Sequence, residues 1–311
     1  MQVLERVTLD VVIVSYRSRD LVRRCLESLH EHPPTVEMHV FVVDNASGDG
    51  TEELIRREFP AVDLETSPRN LGFSVANNRA IRRGSGAYVL ALNPDTCITE
   101  GALDALLALM ERHPEVGICG CRLVQDNGEF DHAARRAFPT IAGAVGHFSG
   151  LGRHTERGGL AQYRAPDVEG GPVDAVNGAF MLMRRRALEE VGLFDEGFWM
   201  YMEDLDLCYR FKQAGWTTWY EPSVTVVHVK AGTSGKLRRP RVNYAFHYGM
   251  FRFYRKHYAA DANPAVNVSV YAGIALKLAL SIVSTEWRRL VRRVASGAIA
   301  GRVKAARSAH Q

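Results

Sequence analysis

Three unbroken apolar runs constrain this chain more than any other feature: Val11-Val12-Ile13-Val14, Val40 to Val43 and Tyr88 to Leu92. A strand with one wet face alternates apolar and polar residues. A run without alternation is covered on both faces, as in a parallel sheet layered between helices. Helical patterns separate these runs. Leu21, Val22, Cys25, Leu26 and Leu29 recur at helical spacing behind Ser18 or Asp20 as N-cap, and Pro33-Pro34 closes the segment. A second helix opens after Gly50-Thr51 with Glu52 and Glu53 in its first turn and Arg56 and Arg57 later, the order its dipole favours. A third is predicted over Phe73 to Arg83, and a fourth on the face Leu103, Leu106, Leu107 and Met110. This order predicts an α/β fold with a mostly parallel central sheet flanked by helices.

Between Gly120 and Pro172 the periodicity fades, which predicts a loop-rich or variable insertion. Order returns with a strand-like run from Val173 to Met183, a short helix ending at Gly192 and an aromatic loop. A helix from Glu203 to Ala214, stopped by Gly215, and strands at Thr217 to Tyr220 and Val224 to Val229 follow. The 311 residues are 46% hydrophobic and 24% charged, an ordinary globular composition. Five cysteines with no CxxC pair suit free thiols in a reducing compartment better than disulfides or a zinc site. The first apolar run ends after four residues, too short for a secretory leader, so the bulk of the chain is expected in the cytosol. From Lys236 onward there are 15 Lys/Arg and 2 Asp/Glu, against 24 and 33 before it. An acidic head is joined to a basic tail.

Open parallel sheets bind ligands where strands empty into loops. Ser15-Tyr16, Asp44-Asn45, Asn93-Pro94-Asp95 and His228 stand at such ends. Asp44 closes an apolar strand with a carboxylate that is costly to bury unpaired, so it either caps the next helix or meets a ligand donor such as a nucleobase N–H. Asn70-Leu71-Gly72-Phe73, with Asn77 and Asn78, marks a tight turn into a helix whose free N–H groups suit a phosphate or ribose. Asp95 offers the oxygen a hard divalent cation prefers. Glu203, Asp204 and Asp206 place three carboxylates within four positions at a predicted helix start, among aromatic residues; Arg210, four positions on, offers Asp206 an ion pair. His228 can ligate a cation or contact a phosphate. Lys230, Lys236, Arg238, Arg239 and Arg241, around Gly232, Ser234 and Gly235, read as a lid over an anion or as a solvated linker.

In chain order, Val11 to Tyr16, Val43 to Thr51, Asn70-Leu71-Gly72-Phe73 with Asn77, Asn93-Pro94-Asp95, Asn177-Gly178-Ala179-Phe180, Phe194-Asp195-Glu196, Glu203-Asp204 and His228 resemble the family 2 glycosyltransferases. The resemblance is to the rhamnosyltransferase-like branch that builds bacterial cell-surface polysaccharide, and covers roughly residues 8 to 255. It implies a GT-A fold, an inverting single displacement and a divalent cation, Mg2+ or Mn2+. Asp204 would then be the catalytic base, with Glu203 and Asp206 supporting it, and Asp95 and His228 would hold the metal. Ser15, Tyr16, Asp44, Asn45, Asn70, Gly72, Asn77 and Asn93 would contact a dTDP- or UDP-linked sugar. Asn93 stands where the family's metal motif carries its first carboxylate, so metal and donor are expected to bind together. The implied acceptor is a lipid-linked glycan or a polysaccharide. Residues 1–120 are expected as the nucleotide-sugar half, 121–235 as the acceptor half and 236–311 as lid and tail.

Val268 to Val283 is largely apolar but holds Lys277 near its middle. At about 16 positions it falls short of the ~20 that a spanning helix needs. With Trp287, Arg288, Arg289, Arg292 and Arg293 behind it, the segment is expected to lie in an anionic membrane interface, on the inner face of the cell membrane. Packing on the head or on a second copy is the alternative, so an oligomer is open. Nucleic acid is not expected, for want of a binding module. Ser15-Tyr16-Arg17-Ser18 lacks the glycines of a dinucleotide site, and no glycine-rich triphosphate loop suggests a nucleotidyltransferase. The remaining rival is a non-catalytic sugar-nucleotide-binding or scaffold protein of the same fold.

Overall fold

The computed structural model describes residues 7–139, 169–229 and 240–308. The chain divides into two compact units, Met1–Thr233 and Ser234–Gln311. The first unit begins with β1 (Thr8–Ser15), α1 (Arg19–Glu31), β2 (Glu37–Asp44), α2 (Thr51–Glu58), β3 (Asp63–Thr66), α3 (Phe73–Arg83) and β4 (Tyr88–Leu92). β5 (Thr96–Cys97), α4 (Ala102–Arg112), β6 (Val116–Val124), a 3-10 turn (His132–Ala134) and β7 (Arg135–Arg136) follow. β8 (Gly171–Val173), β9 (Ala175–Val176), β10 (Phe180–Arg184), α5 (Arg185–Val191), α6 (Glu203–Gln213) and β11 (Thr217–His228) complete it.

Among the described residues the main sheet runs β3-β2-β1-β4-β10-β6-β11-β5, with β8 attached to β11. β1, β2, β3 and β4 are mutually parallel, as are β6 and β11. β10 runs antiparallel between β4 and β6. Val11, Val12 and Ile13 are all fully buried, so both faces of β1 are covered, as the unbroken apolar run requires. The registers align the functional edge: Ser15 faces Asp44, Ile13 faces Leu92, and Leu92 faces Phe180. Because β10 runs backward, its amino end, and the Asn177–Ala179 turn before it, share the edge with the carboxyl ends of β1, β2 and β4.

Several boundaries differ from the sequence reading, each for a local reason. The Val173 to Met183 run is three strands, because the Asn177 side chain accepts from the Ala179 amide at 2.9 Å and its carbonyl from Phe180 at 3.2 Å, a turn that interrupts the ladder. The two strands predicted after Thr217 are one, β11, with a register shift between Glu221 and Thr225 that accommodates Pro222, which has no N–H to donate. Residue 120, expected at the junction of two halves, lies inside β6. All five cysteines are free, four buried and Cys97 half-buried.

The second unit is a helical hairpin of α7 (Pro240–His257) and α8 (Pro264–Ser308). Tyr254 donates to Asn267 at 2.7 Å, Ser281 to Asn243 at 2.9 Å, and Tyr271 packs edge-on against Tyr254. The sequence reading judged the apolar segment too short to cross a bilayer, and the structure corrects the length. Within α8 the stretch Pro264–Trp287 is 24 residues long and, by length and composition, apolar enough to span. At ~1.5 Å per residue it exceeds a ~30 Å hydrocarbon core. The count from Val268 to Val283 missed both flanks. Lys230, Gly232, Ser234, Gly235, Lys236, Arg238 and Arg239, read as a lid or linker, lie outside the described residues, while Arg241 sits in the first turn of α7.

Candidate active site

Strain marks the edge. Non-glycine residues rarely adopt positive φ, and those that do among the described residues are Arg17, Ala46, Tyr201 and Met202. Arg17 and Ala46 follow β1 and β2, while Tyr201 and Met202 lead into α6.

Asp44 is 6% exposed, and its Oδ1 is buried with no hydrogen-bond partner. Burial pushes its carboxyl upward, against the Ser47 hydrogen bonds that lower it. A buried acceptor at a strand end can take a bond from an N–H donor. Tyr16, which follows Ser15 opposite Asp44, is 39% exposed, with Arg17 over its ring. Ser15 is fully buried, its hydroxyl shared with Ser18 at 3.0 Å.

The asparagines have another task. Asn45 accepts from the Leu71 amide at 2.7 Å and donates to the Gly72 carbonyl and to Asn70, while Asn70 accepts from the Gly72 amide. Both amides lock the loop after β2 to the turn before α3. Asn77 is 1% exposed and donates back to Phe73, one turn earlier. Gly72, at φ 89°, caps α3; a Cβ there would press on the Trp199 carbonyl oxygen and lie 2.5 Å from its Cδ1. Asn93 bonds through its backbone, its amide donating to Ala179 and its carbonyl accepting from Thr96.

Asp95 and His228 are brought together from β4 and β11. His228 Nε2 lies 3.4 Å from Asp95 Oδ1, and its Nδ1 lies 3.2 Å from Asp131 Oδ2. Burial alone would depress the imidazolium, but the bonds to Asp131 and Asp95 outweigh it and push the pKa up to about 9. Two donors bonded to one cation at ~2.1 Å and at right angles stand ~3 Å apart, so the pair has the spacing of two adjacent ligands. Among the described residues no group of three or more His, Cys, Asp or Glu side chains converges as a metal cage. Asp95 and His228 would supply two ligands to a divalent cation, and water and phosphate would have to supply the rest.

The Glu203-Asp204 pair opens α6, where the helix dipole favours negative charge. Asp204 is 7% exposed; its Oδ2 accepts from Arg136 at 2.5 Å and from the Gly178 amide at 3.0 Å, and its Oδ1 from the Leu205 amide at 2.7 Å. Glu203 beside it is equally buried, and its Oε2 has no partner. Burial, then the neighbouring Asp204, raises the Glu203 carboxyl far above its ordinary range. The two environments differ: Asp204 is held by the Arg136 guanidinium and two backbone amides, while Glu203, without a partner at Oε2, favours its protonated form.

Asp206 does not join them. Fully buried, it binds Arg210 at 2.8 Å, the i,i+4 pair its spacing offers, and Arg210 reaches on to the carbonyls of Val191, Gly192 and Leu193. From the other side Asn78 bonds the Phe194 amide and carbonyl, and Trp199 O accepts from Phe73. The segment 191–199 is thus a strap between α6 and α3. Sequence reasoning missed Arg136 and Asp131, both in the stretch without periodicity. The one local signal was a pair of adjacent arginines, Arg135-Arg136, close after Asp131.

Residues 10–192 match the sequence profile of "Glycosyl transferase family 2". Over 257 residues the chain is 35% identical to the N-acetylglucosaminyl-diphospho-decaprenol L-rhamnosyltransferase of Mycobacterium tuberculosis, covering 77% of this chain and 81% of that one. It is 27% identical over 229 residues to rhamnosyltransferase WbbL of Escherichia coli, covering 70% and 82%. Two solved structures share the fold at 18% identity. One is the Pyrobaculum calidifontis mannosyltransferase PcManGT with GDP-Man and Mn2+, at TM-score 0.57 over 91% of this chain and 74% of that one. The other is Staphylococcus aureus TarS 1-349 with UDP-GlcNAc, at TM-score 0.54 over 86% and 71%. The architecture is GT-A-like, and the chain is a glycosyltransferase belonging to family 2.

Proposed function

We propose that the protein moves a sugar, L-rhamnose, from a dTDP- or UDP-linked donor to a lipid-linked glycan or polysaccharide acceptor by an inverting single displacement. One observation carries the reading: a base-type acceptor (Asp44), a cation-type pair (Asp95 and His228) and a charge-supported carboxylate (Asp204) all belong to one sheet edge. The names of the mycobacterial and E. coli relatives support rhamnose and a polyprenyl-diphosphate acceptor.

In this reading Asp44 Oδ1 accepts the ring N–H of uracil or thymine, and Tyr16 covers the base. Asn45 and Asn70 hold the loop shape that admits the ribose. Asp95 and His228 hold Mg2+ or Mn2+, which when bound offsets the charge of the departing diphosphate. Asp204 takes the acceptor hydroxyl proton as that oxygen bonds the anomeric carbon and the bond to the diphosphate breaks. Arg136 and the Gly178 amide fix Oδ2, and the second lone pair of Oδ1, beside the one that accepts from the Leu205 amide, receives the proton. Glu203, protonated, serves as a hydrogen-bond donor to the sugar or acceptor rather than as a second base. A membrane contact suits a lipid-linked acceptor. Leu276, Leu280, Val283 and Trp287, each about 60% exposed or more, form one apolar stripe along α8, with arginines immediately after it.

The test is a panel of UDP-, dTDP- and GDP-sugars with Mg2+ or Mn2+ and a short polyprenyl-diphosphate glycan. Asp204→Asn should lower turnover by roughly 10²–10⁴-fold with donor binding retained. Near-native turnover in that variant would remove Asp204 as the base, and retained anomeric configuration in the product would remove the single displacement.

A further inference from the structure

We propose that Asp131 is a positioning residue of the cation site, holding the His228 ring by Nδ1 so that a cation beside Asp95 would displace the Nε2 proton and bind that nitrogen. The inference rests on the reading of Asp95 and His228 as cation ligands.

A histidine binds a metal through one ring nitrogen only when the proton sits on the other, and the group bonded to that other nitrogen decides which tautomer forms. Asp131 Oδ2 occupies Nδ1 at 3.2 Å, while Nε2 points to Asp95. A carboxylate accepts and does not donate, so Asp131 keeps a proton on Nδ1, and the proton that a cation would displace is the one on Nε2, beside Asp95.

Asp131 is built to stay there. It is 1% exposed, its Oδ1 accepts from the Ala133 amide at 2.9 Å, and its backbone is held by Leu123 on one side and Ala134 on the other. The topology explains how a residue 97 positions away reaches His228. β6 and β11 are parallel neighbours with Val124 opposite Val227, so the hairpin that leaves β6 through Gln125 and Glu129 turns back beside the end of β11. Capping the 3-10 turn would need only a neutral Asn or Ser. A buried carboxylate costs more than either, and the His228 imidazole is a partner that uses its charge.

Asp131→Asn separates positioning from fold. Keeping its Oδ1 on the Ala133 amide, the asparagine presents an N–H to Nδ1, which reverses the tautomer and puts a proton on Nε2. The experiment titrates Mn2+ by electron paramagnetic resonance into the full chain saturated with UDP or dTDP, for the wild type, D131N, D131A, H228A and D131A/H228A. D131N and D131A should each weaken Mn2+ binding roughly 10–100-fold. The double variant should bind no more weakly than H228A, because Asp131 acts only through the ring. Wild-type Mn2+ affinity in D131N overturns the proposal, as do losses that multiply in the double variant, since a general structural defect would act without His228. Unchanged affinity in H228A overturns the cation-site reading itself and takes this proposal with it.

Discussion

His228 ties the stability of the metal-free protein to pH. Its pKa rises from 6.5 to about 9 on folding, because the Asp131 and Asp95 carboxylates outweigh the penalty of burial. A group whose folded pKa is raised contributes fully below its unfolded pKa, and the contribution is lost as pH climbs through the folded one. A difference of about 2.5 units is worth about 3 kcal/mol, and at 7% exposure solvent screening takes little from it. Most of this is present at pH 6.5, and only a few tenths of a kcal/mol survive at pH 9. Urea denaturation without divalent cation, at pH 6.5, 7.5 and 9.0, checks this against His228→Gln, which cannot become charged. The wild-type advantage over the variant should shrink by about 2–3 kcal/mol across that range. A constant advantage would show that the imidazole is not held between two carboxylates, and the paired geometry would fall with it.

Two further outcomes concern the same edge, and a third concerns α8. Asp44→Ala should weaken UDP or dTDP binding by about 1.5–3 kcal/mol in calorimetry, the worth of a charged hydrogen bond, while leaving melting unchanged or raised, because the orphaned Oδ1 leaves with it. Unchanged nucleotide affinity would remove Asp44 from the base pocket. Gly72→Ala should cost about 2 kcal/mol or more in unfolding free energy, since the new methyl meets Trp199 at a φ that favours glycine; a loss below ~0.5 kcal/mol would show that the strap yields easily. A chain ending at Asn263 should leave the membrane fraction and keep nucleotide binding, as measured by vesicle flotation and calorimetry. Retention on vesicles would place the membrane contact elsewhere.

The sheet was legible because burial on both faces writes itself into a sequence as apolar runs without alternation. The direction of β10 was not, because a strand's own residues do not encode which way the chain enters it. Asp206 could be read from its spacing to Arg210. The Asp204–Arg136 bond and the His228–Asp131 bond join residues 68 and 97 positions apart, inside or across the stretch that lacks periodicity, and no local pattern announces them. Asn45 and Asn70 were legible as important but not as to what they bind. An asparagine amide suits a neighbouring loop as well as a ligand, and here both serve the loop. Asn77 likewise bonds within its own helix.

The strap at residues 191–199 bears on how such enzymes could be recombined. Donor preference is an attractive target for chimeras that exchange the first ~120 residues between relatives, on the assumption that donor and acceptor sides are separable modules. Here Asn78 and Phe73 grip one end of the strap and Arg210 the other, while Gly72 leaves room for Trp199 with almost nothing to spare. A graft that brings in a foreign α3 without its matching strap exchanges half of an interlock. The unit that has to be exchanged together is therefore larger than the first ~120 residues, and includes a loop more than a hundred residues downstream of α3.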